Sequence, residues 1–124
     1  MLSCEKTSLW KGLLELCGQV RAITAKFPKC EWWSGGLVSQ LLRAADSALS
    51  NYSEGYARRT SADFLHYISI TRGSLFEVNA QLSIAEYVGY VESVQKAKDL
   101  IEHLVYQLNN LKAKKEADVQ HEGR

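Results

Sequence analysis

Apolar side chains in this chain return every three or four residues over long stretches, the spacing that gathers them on one face of an α-helix. Between Ser8 and Phe27 they are Leu9, Leu13, Leu16, Cys17, Val20, Ile23 and Phe27. The one proline, Pro28, follows at once. The stretch from Lys29 to Gly36 then reads as a loop, because it is rich in breakers and has no period, although it carries two adjacent tryptophans, Trp32 and Trp33. A second periodic stretch holds Leu37, Leu41, Ala44, Ala45, Ala48 and Tyr52, and Gly55 reads as its left-handed cap. A third starts at Thr60, with Asp63 three residues on, a capping-box-like opening with an acid where the helix dipole favours negative charge. Its seam of Phe64, Ile68, Thr71, Leu75, Val78, Leu82 and Ala85 alternates steps of four and three, as bundle helices do, and Gly89 closes it. A fourth carries Val94, Ala97, Ile101, Leu104, Leu108 and Leu111.

The pattern predicts helices over about 8–27, 37–54, 61–87 and 92–115, followed by a frayed polar tail over 116–124. Short connections favour antiparallel neighbours, so the expected fold is all-α: an antiparallel up-down-up-down four-helix bundle forming one domain over residues 1–124. The alanine-lined middle of helix two invites a close neighbour, and Gly73 with Ser74 in helix three is the expected facing position. Such packing would justify a mid-helix glycine that costs about 1 kcal/mol against alanine. Apolar residues outside the main stripes, among them Leu14, Val38, Leu42, Leu49, Tyr67, Ile70, Phe76, Val105 and Tyr106, point to a second buried face and hence to self-association.

Composition narrows the function. With 46% hydrophobic and 23% charged residues over 124 positions, the chain has the makings of one globular core. Fifteen Lys and Arg against 14 acids leave a net charge of +1, so binding to nucleic acid has to come from a local patch. The opening Met1–Lys6 lacks a secretory signal pattern and no apolar stretch is long enough for a bilayer, so a cytoplasmic protein without a membrane partner is expected. Three widely separated cysteines, Cys4, Cys17 and Cys30, argue against a disulfide framework and against a CxxC site. Cys17, on the apolar stripe, reads as buried filler.

Catalytic signatures are missing. Di-iron bundles use Glu-x-x-His on two helices, whereas this chain has one Asp63-x-x-His66 without a twin, and His103 and His121 have no partner at metal spacing. There is no P-loop, GxGxxG, GxSxG or HExxH. Neither an enzyme nor a metal or other cofactor is therefore expected. One polar cluster stands out. Arg43, Asp46, Ser50 and Glu54 follow helical steps on one face, and Gly55, Tyr56, Arg58 and Arg59 continue into the turn. It reads either as an ion-pair ladder ending in a capped turn, or as a patch in which Arg58 and Arg59, with Tyr56, Asn51 and Arg43, hold phosphates and stacked bases.

Ser50-Asn51-Tyr52-Ser53-Glu54-Gly55-Tyr56-Ala57-Arg58-Arg59-Thr60, then Asp63-Phe64, Gly73-Ser74-Leu75-Phe76-Glu77 and Gln81-Leu82, resembles the four-helix-bundle proteins encoded in intervening sequences of bacterial 23S rRNA genes. The resemblance extends to Phe27-Pro28-Lys29, Ser39-Gln40, Arg43-Ala44-Ala45 and Gly89-Tyr90. Leu49 stands where that family usually has proline, Tyr52-Ser53 replaces Ile-Ala, and Ala57 replaces a second glycine, which suggests a less kinked helix two and a distinct subfamily. The same fold family includes the accessory variability determinants of diversity-generating retroelements, homopentamers that bind a reverse transcriptase and its template RNA. The resemblance thus implies a non-enzymatic homo-oligomer, pentameric, with RNA and a reverse transcriptase as expected partners. Those relatives are strongly basic, and a net charge of +1 gives this chain fewer counterions to release on binding. The alternative is a protein-interaction scaffold without nucleic-acid binding. In it Asn51, Glu54, Arg43 and Glu77 buttress helices or subunits, and Gly55, Gly73 and Ser74 are structural.

Overall fold

The computed structural model describes residues 1–122. Four α-helices, α1 (Ser8–Thr24), α2 (Leu37–Tyr56), α3 (Ser61–Tyr87) and α4 (Gln95–Glu122), pack around one core, with short 3-10 turns at Ser3–Lys6 and Lys29–Glu31 and no strand among the described residues. No helix among these residues is long and apolar enough to cross a membrane.

The predicted seams form this core. All seven α3 seam residues are at most 6% exposed, from Phe64 through Ala85. They meet Leu13, Leu16 and Val20 of α1, Leu41, Ala45 and Ala48 of α2, and Ile101, Leu104 and Leu108 of α4, all buried.

Cross-helix contacts fix the direction of every neighbour. On α1 and α2, Trp10 Nε1 donates to Ser53 Oγ at 3.0 Å, and Arg21 donates to Asp46, about two turns earlier along α2. Thr71 Oγ1 donates to the Ala48 carbonyl at 3.3 Å, and further along α3 Gln81 reaches back to Gln40. Between α3 and α4, Arg72 Nε donates to Asn109 Oδ1 at 3.1 Å, while Ser61 at one end meets Glu122 at the other. Gln107 Nε2 donates to Ser8 Oγ at 2.9 Å and, further along α1, Gly12 faces Leu104, so α4 meets α1 in the same antiparallel sense. The bundle therefore runs up, down, up, down, and its first and last helices close a ring.

Helix ends follow local chemistry. Thr7 Oγ1 accepts from Trp10 N at the start of α1, and Thr60 Oγ1 accepts from Asp63 N at the start of α3. Gly89, at φ 86°, terminates α3 in the left-handed region. Its backbone N–H donates to the Glu86 carbonyl.

Several expectations are corrected. Gly55 does not cap α2 but lies buried inside it, and the helix runs on to Tyr56. A Cβ on Gly55 would stand 2.7 Å from Tyr67 Cβ, so its lack of a side chain is what lets α2 and α3 cross closely. Gly73 is exposed, and a Cβ there would meet nothing within 4 Å. Ser74 instead makes the close contact, its Oγ 3.2 Å from Ser47 Oγ. Val38 belongs to the core, and α1 ends at Thr24 rather than near Phe27. The polar tail does not fray over 116–122 but continues α4 to Glu122, while residues 123 and 124 lie outside the described residues.

Two glycine substitutions test this packing. Gly55→Ala forces α2 from α3 and is expected to destabilise the protein by about 1–3 kcal/mol in urea unfolding. Gly18→Ala, on an α1 surface where a Cβ meets nothing, is expected to stabilise it by about 0.5–1 kcal/mol.

Candidate nucleic-acid interface

The end of α2, the Ala57–Thr60 turn, the first turn of α3 and the last turns of α4 enclose a cleft of about 470 Å³. Four cations line it, Arg58, Arg59, Lys114 and Lys115, against two carboxylates, Asp118 and Glu122. Its floor is aromatic: Tyr56 and Phe64 meet edge to face at 5.7 Å, and Lys115 Nζ lies 4.9 Å from the centre of the Phe64 ring.

The cations differ in freedom. Arg58 Nη2 donates to Glu54 Oε1 and to the Tyr67 hydroxyl, both at 2.6 Å, and its guanidinium lies over the Tyr67 ring. This residue is committed to holding the turn against α3. Arg59 and Lys114 are exposed and make no ion pair among the described residues. The Glu122 carboxylate accepts from Ser61 N at 3.1 Å and from Ser61 Oγ at 2.9 Å, so the end of α4 is pinned to the positive start of α3.

The expected patch is thus divided. Tyr56, Arg58 and Arg59 come together in the cleft. Asn51 Nδ2 turns back to the Ser47 carbonyl and Oγ, which fixes it within α2. Arg43 lies fifteen residues before Arg58, about 20 Å along the helix. There it lines a second hollow with Trp32 and Trp33. The ion-pair ladder along α2 does not form: Asp46 instead takes a bidentate bond from Arg21 of α1, both N–O distances 2.9 Å. Glu54 pairs only with Arg58, four residues on, and Glu77 accepts from Gln81 of its own helix, so neither spans two helices within the described chain. Gln81, only 7% exposed, gives its amide hydrogens to Gln40 Oε1 and Glu77 Oε1 and leaves its own Oε1 buried without a partner among the described residues.

Lys114 and Lys115, the last residues of the predicted helix four and no part of the expected patch, also line the cleft. The steps Leu108, Leu111, Lys115, Asp118 and Glu122 continue the α4 seam in polar residues. Lysine stems cover apolar surface, so that stripe was readable as helix.

Among the described residues no three His, Cys, Asp or Glu side chains are placed to hold a metal ion. Burial, and then Asp46 beside it, raise the Cys17 thiol to about 11, so it stays protonated at neutral pH.

A family model described as 23S rRNA-intervening sequence protein matches residues 5–111. The chain belongs to that family. A comparison with curated proteins gives no match. The matched region takes in all of α1, α2 and α3 and ends within α4, so Lys114, Lys115 and Glu122 lie beyond it. In this member of the 23S rRNA-intervening sequence family, then, the cleft combines a turn inside the matched region with a helix end outside it.

The Arg21–Asp46 pair predicts a pH effect. The hydrogen bonds from Arg21 hold the Asp46 carboxyl below its ordinary range, so its contribution is present above the unfolded-state pKa and is lost as pH falls through the lowered value. The pair is about half exposed, so Asp46→Asn is expected to cost at most about 1 kcal/mol at neutral pH. Parent and variant stabilities, measured by urea titration, should converge in acid.

Proposed function

We propose that the protein is a non-enzymatic homo-oligomer that binds RNA, alone or within a ribonucleoprotein, through the cleft between the α2–α3 turn and the end of α4. The observation that carries this reading is the convergence of Arg59 and Lys114, neither in an ion pair among the described residues, on one hollow beside the exposed Tyr56 ring, with Arg58 and Lys115 lining it as well. Lysine and arginine bind phosphate by releasing counterions, and the exposed face of Tyr56 beside them can accept an unpaired base. With a net charge of only +1, this local concentration replaces the global field of a strongly basic protein. A reverse transcriptase with its template RNA is one partner of this chemistry, and the cytoplasm is the compartment that fits it.

Self-association is supported by a second stripe on α3. His66, Ile70, Gly73, Glu77, Ala80 and Ile84 follow steps of four and three along its outward side. Ile70 is 37% and Ile84 51% exposed, and exposed Gly73 and Ala80 leave room for another helix to approach closely. This gives α3 apolar character on two sides, one for the core and one for a second copy. Pentamers are the expected assembly.

The two halves of the proposal have separate tests. Arg59→Ala with Lys114→Ala should weaken RNA retention in filter binding and make the salt dependence shallower by about one unit for each phosphate no longer neutralised; unchanged retention would remove the RNA reading. Ile70→Lys with Ile84→Lys should leave helicity intact and reduce the light-scattering mass to that of one chain. An unaltered mass would free α3 of this role.

A further inference from the structure

We propose that Trp32, Trp33 and Arg43 form a stacking site for unpaired nucleotides of single-stranded RNA, the indole faces taking bases and Arg43 an adjoining phosphate. This rests on the RNA-binding reading above and adds a contact at the opposite end of α2.

The two indoles are held in place yet left open. Trp32 Nε1 donates to the Phe27 carbonyl at 3.2 Å, and the Trp33 ring lies against Gly35, where a Cβ would stand 2.4 Å from it, and close to Gly36, where a Cβ would strike the Glu31 carbonyl oxygen. The loop beneath them is itself tied down. Glu31 accepts from Leu37 N at 3.1 Å and from the Tyr90 hydroxyl at 2.7 Å, and Gly36 N donates to the Trp33 carbonyl at 2.9 Å. Despite these anchors Trp32 stays 52% and Trp33 64% exposed. Burial in the core therefore does not account for two large apolar rings left exposed on one hollow.

Charge selects the occupant. The rings border a hollow of about 390 Å³ with Val38, Leu42 and Arg43 on its α2 side. Arg21, also at its rim, is neutralised by Asp46, whereas Arg43 makes no ion pair among the described residues. Rigid aromatic faces next to one uncompensated guanidinium match a base joined to its phosphate. Stacking of this kind needs unpaired bases, so duplex RNA would gain little from it.

The test uses the full-length protein with oligoadenylate as the single-stranded probe and an RNA duplex of the same length as comparison. Oligoadenylate should quench tryptophan emission. Trp33→Ala should weaken its binding about tenfold while leaving duplex binding and helicity unchanged. Trp33→Leu, which keeps apolar bulk over Gly35 and Gly36, should weaken it to a similar degree, and Arg43→Ala should lower the salt slope by about one. Parental oligoadenylate affinity in the Trp33 variants, with Arg59→Ala and Lys114→Ala still weakening RNA binding, would overturn this site and leave the cleft standing. If the parent protein retains neither RNA, both readings fall together. Loss of self-association in Trp33→Leu with RNA affinity intact would overturn the site by assigning the indoles to a second copy.

Discussion

The close crossing of α2 and α3 is the contact on which the rest of this bundle depends. It is made where side chains are smallest or absent, at Gly55 against Tyr67, at Ala48 against Thr71 and at Ser47 against Ser74. Because interiors are packed to crystal-like density, a helix pair this close can be widened only by giving up contacts along its whole length. The Ala57–Thr60 turn emerges from that crossing with its direction already set, and Arg58 is locked to Glu54 and Tyr67 as it leaves. Arg59 is then carried to the mouth of the cleft, and Ser61 to the carboxylate of Glu122.

This geometry sets three distinct surfaces apart along the bundle. At one end the α2–α3 turn and the last turns of α4 concentrate positive charge around two aromatic rings. At the other, the loop between α1 and α2 presents two indoles beside Arg43. The sides carry the apolar outward stripe of α3. Membership in the 23S rRNA-intervening sequence family agrees with the fold, while the lysines that complete the cleft lie past the matched region. Local placement of charge, rather than the nearly neutral total, is what makes phosphate binding physically reasonable here.

Much of the fold was legible because burial leaves a periodic record. The α3 seam was readable residue by residue, since each step of four or three returns to the same face and each such residue is buried. Glycine was harder to read. Gly55 and Gly73 both carry the mark of a special position, but an absent side chain says the same thing whether it permits a left-handed turn, a close neighbour or a surface left open. Only the position of Tyr67 separates these cases. The candidate site was half legible for a related reason. Tyr56, Arg58 and Arg59 are neighbours in sequence, whereas Lys114 and Lys115 reach them through the antiparallel return of α4, a long-range placement that spacing alone does not encode. Arg43 shares a helical phase with Glu54 at the start of that patch, but phase fixes the face of a helix and not the distance along it.

Hydrogen exchange of the intact protein, with and without RNA, reads every segment at once and so locates the surface that RNA covers. RNA held in the cleft should add protection at the α2–α3 turn and in the last turns of α4, with little change in the middle of α1. Protection confined to other surfaces, with these two segments exchanging as in the free protein, would contradict that placement.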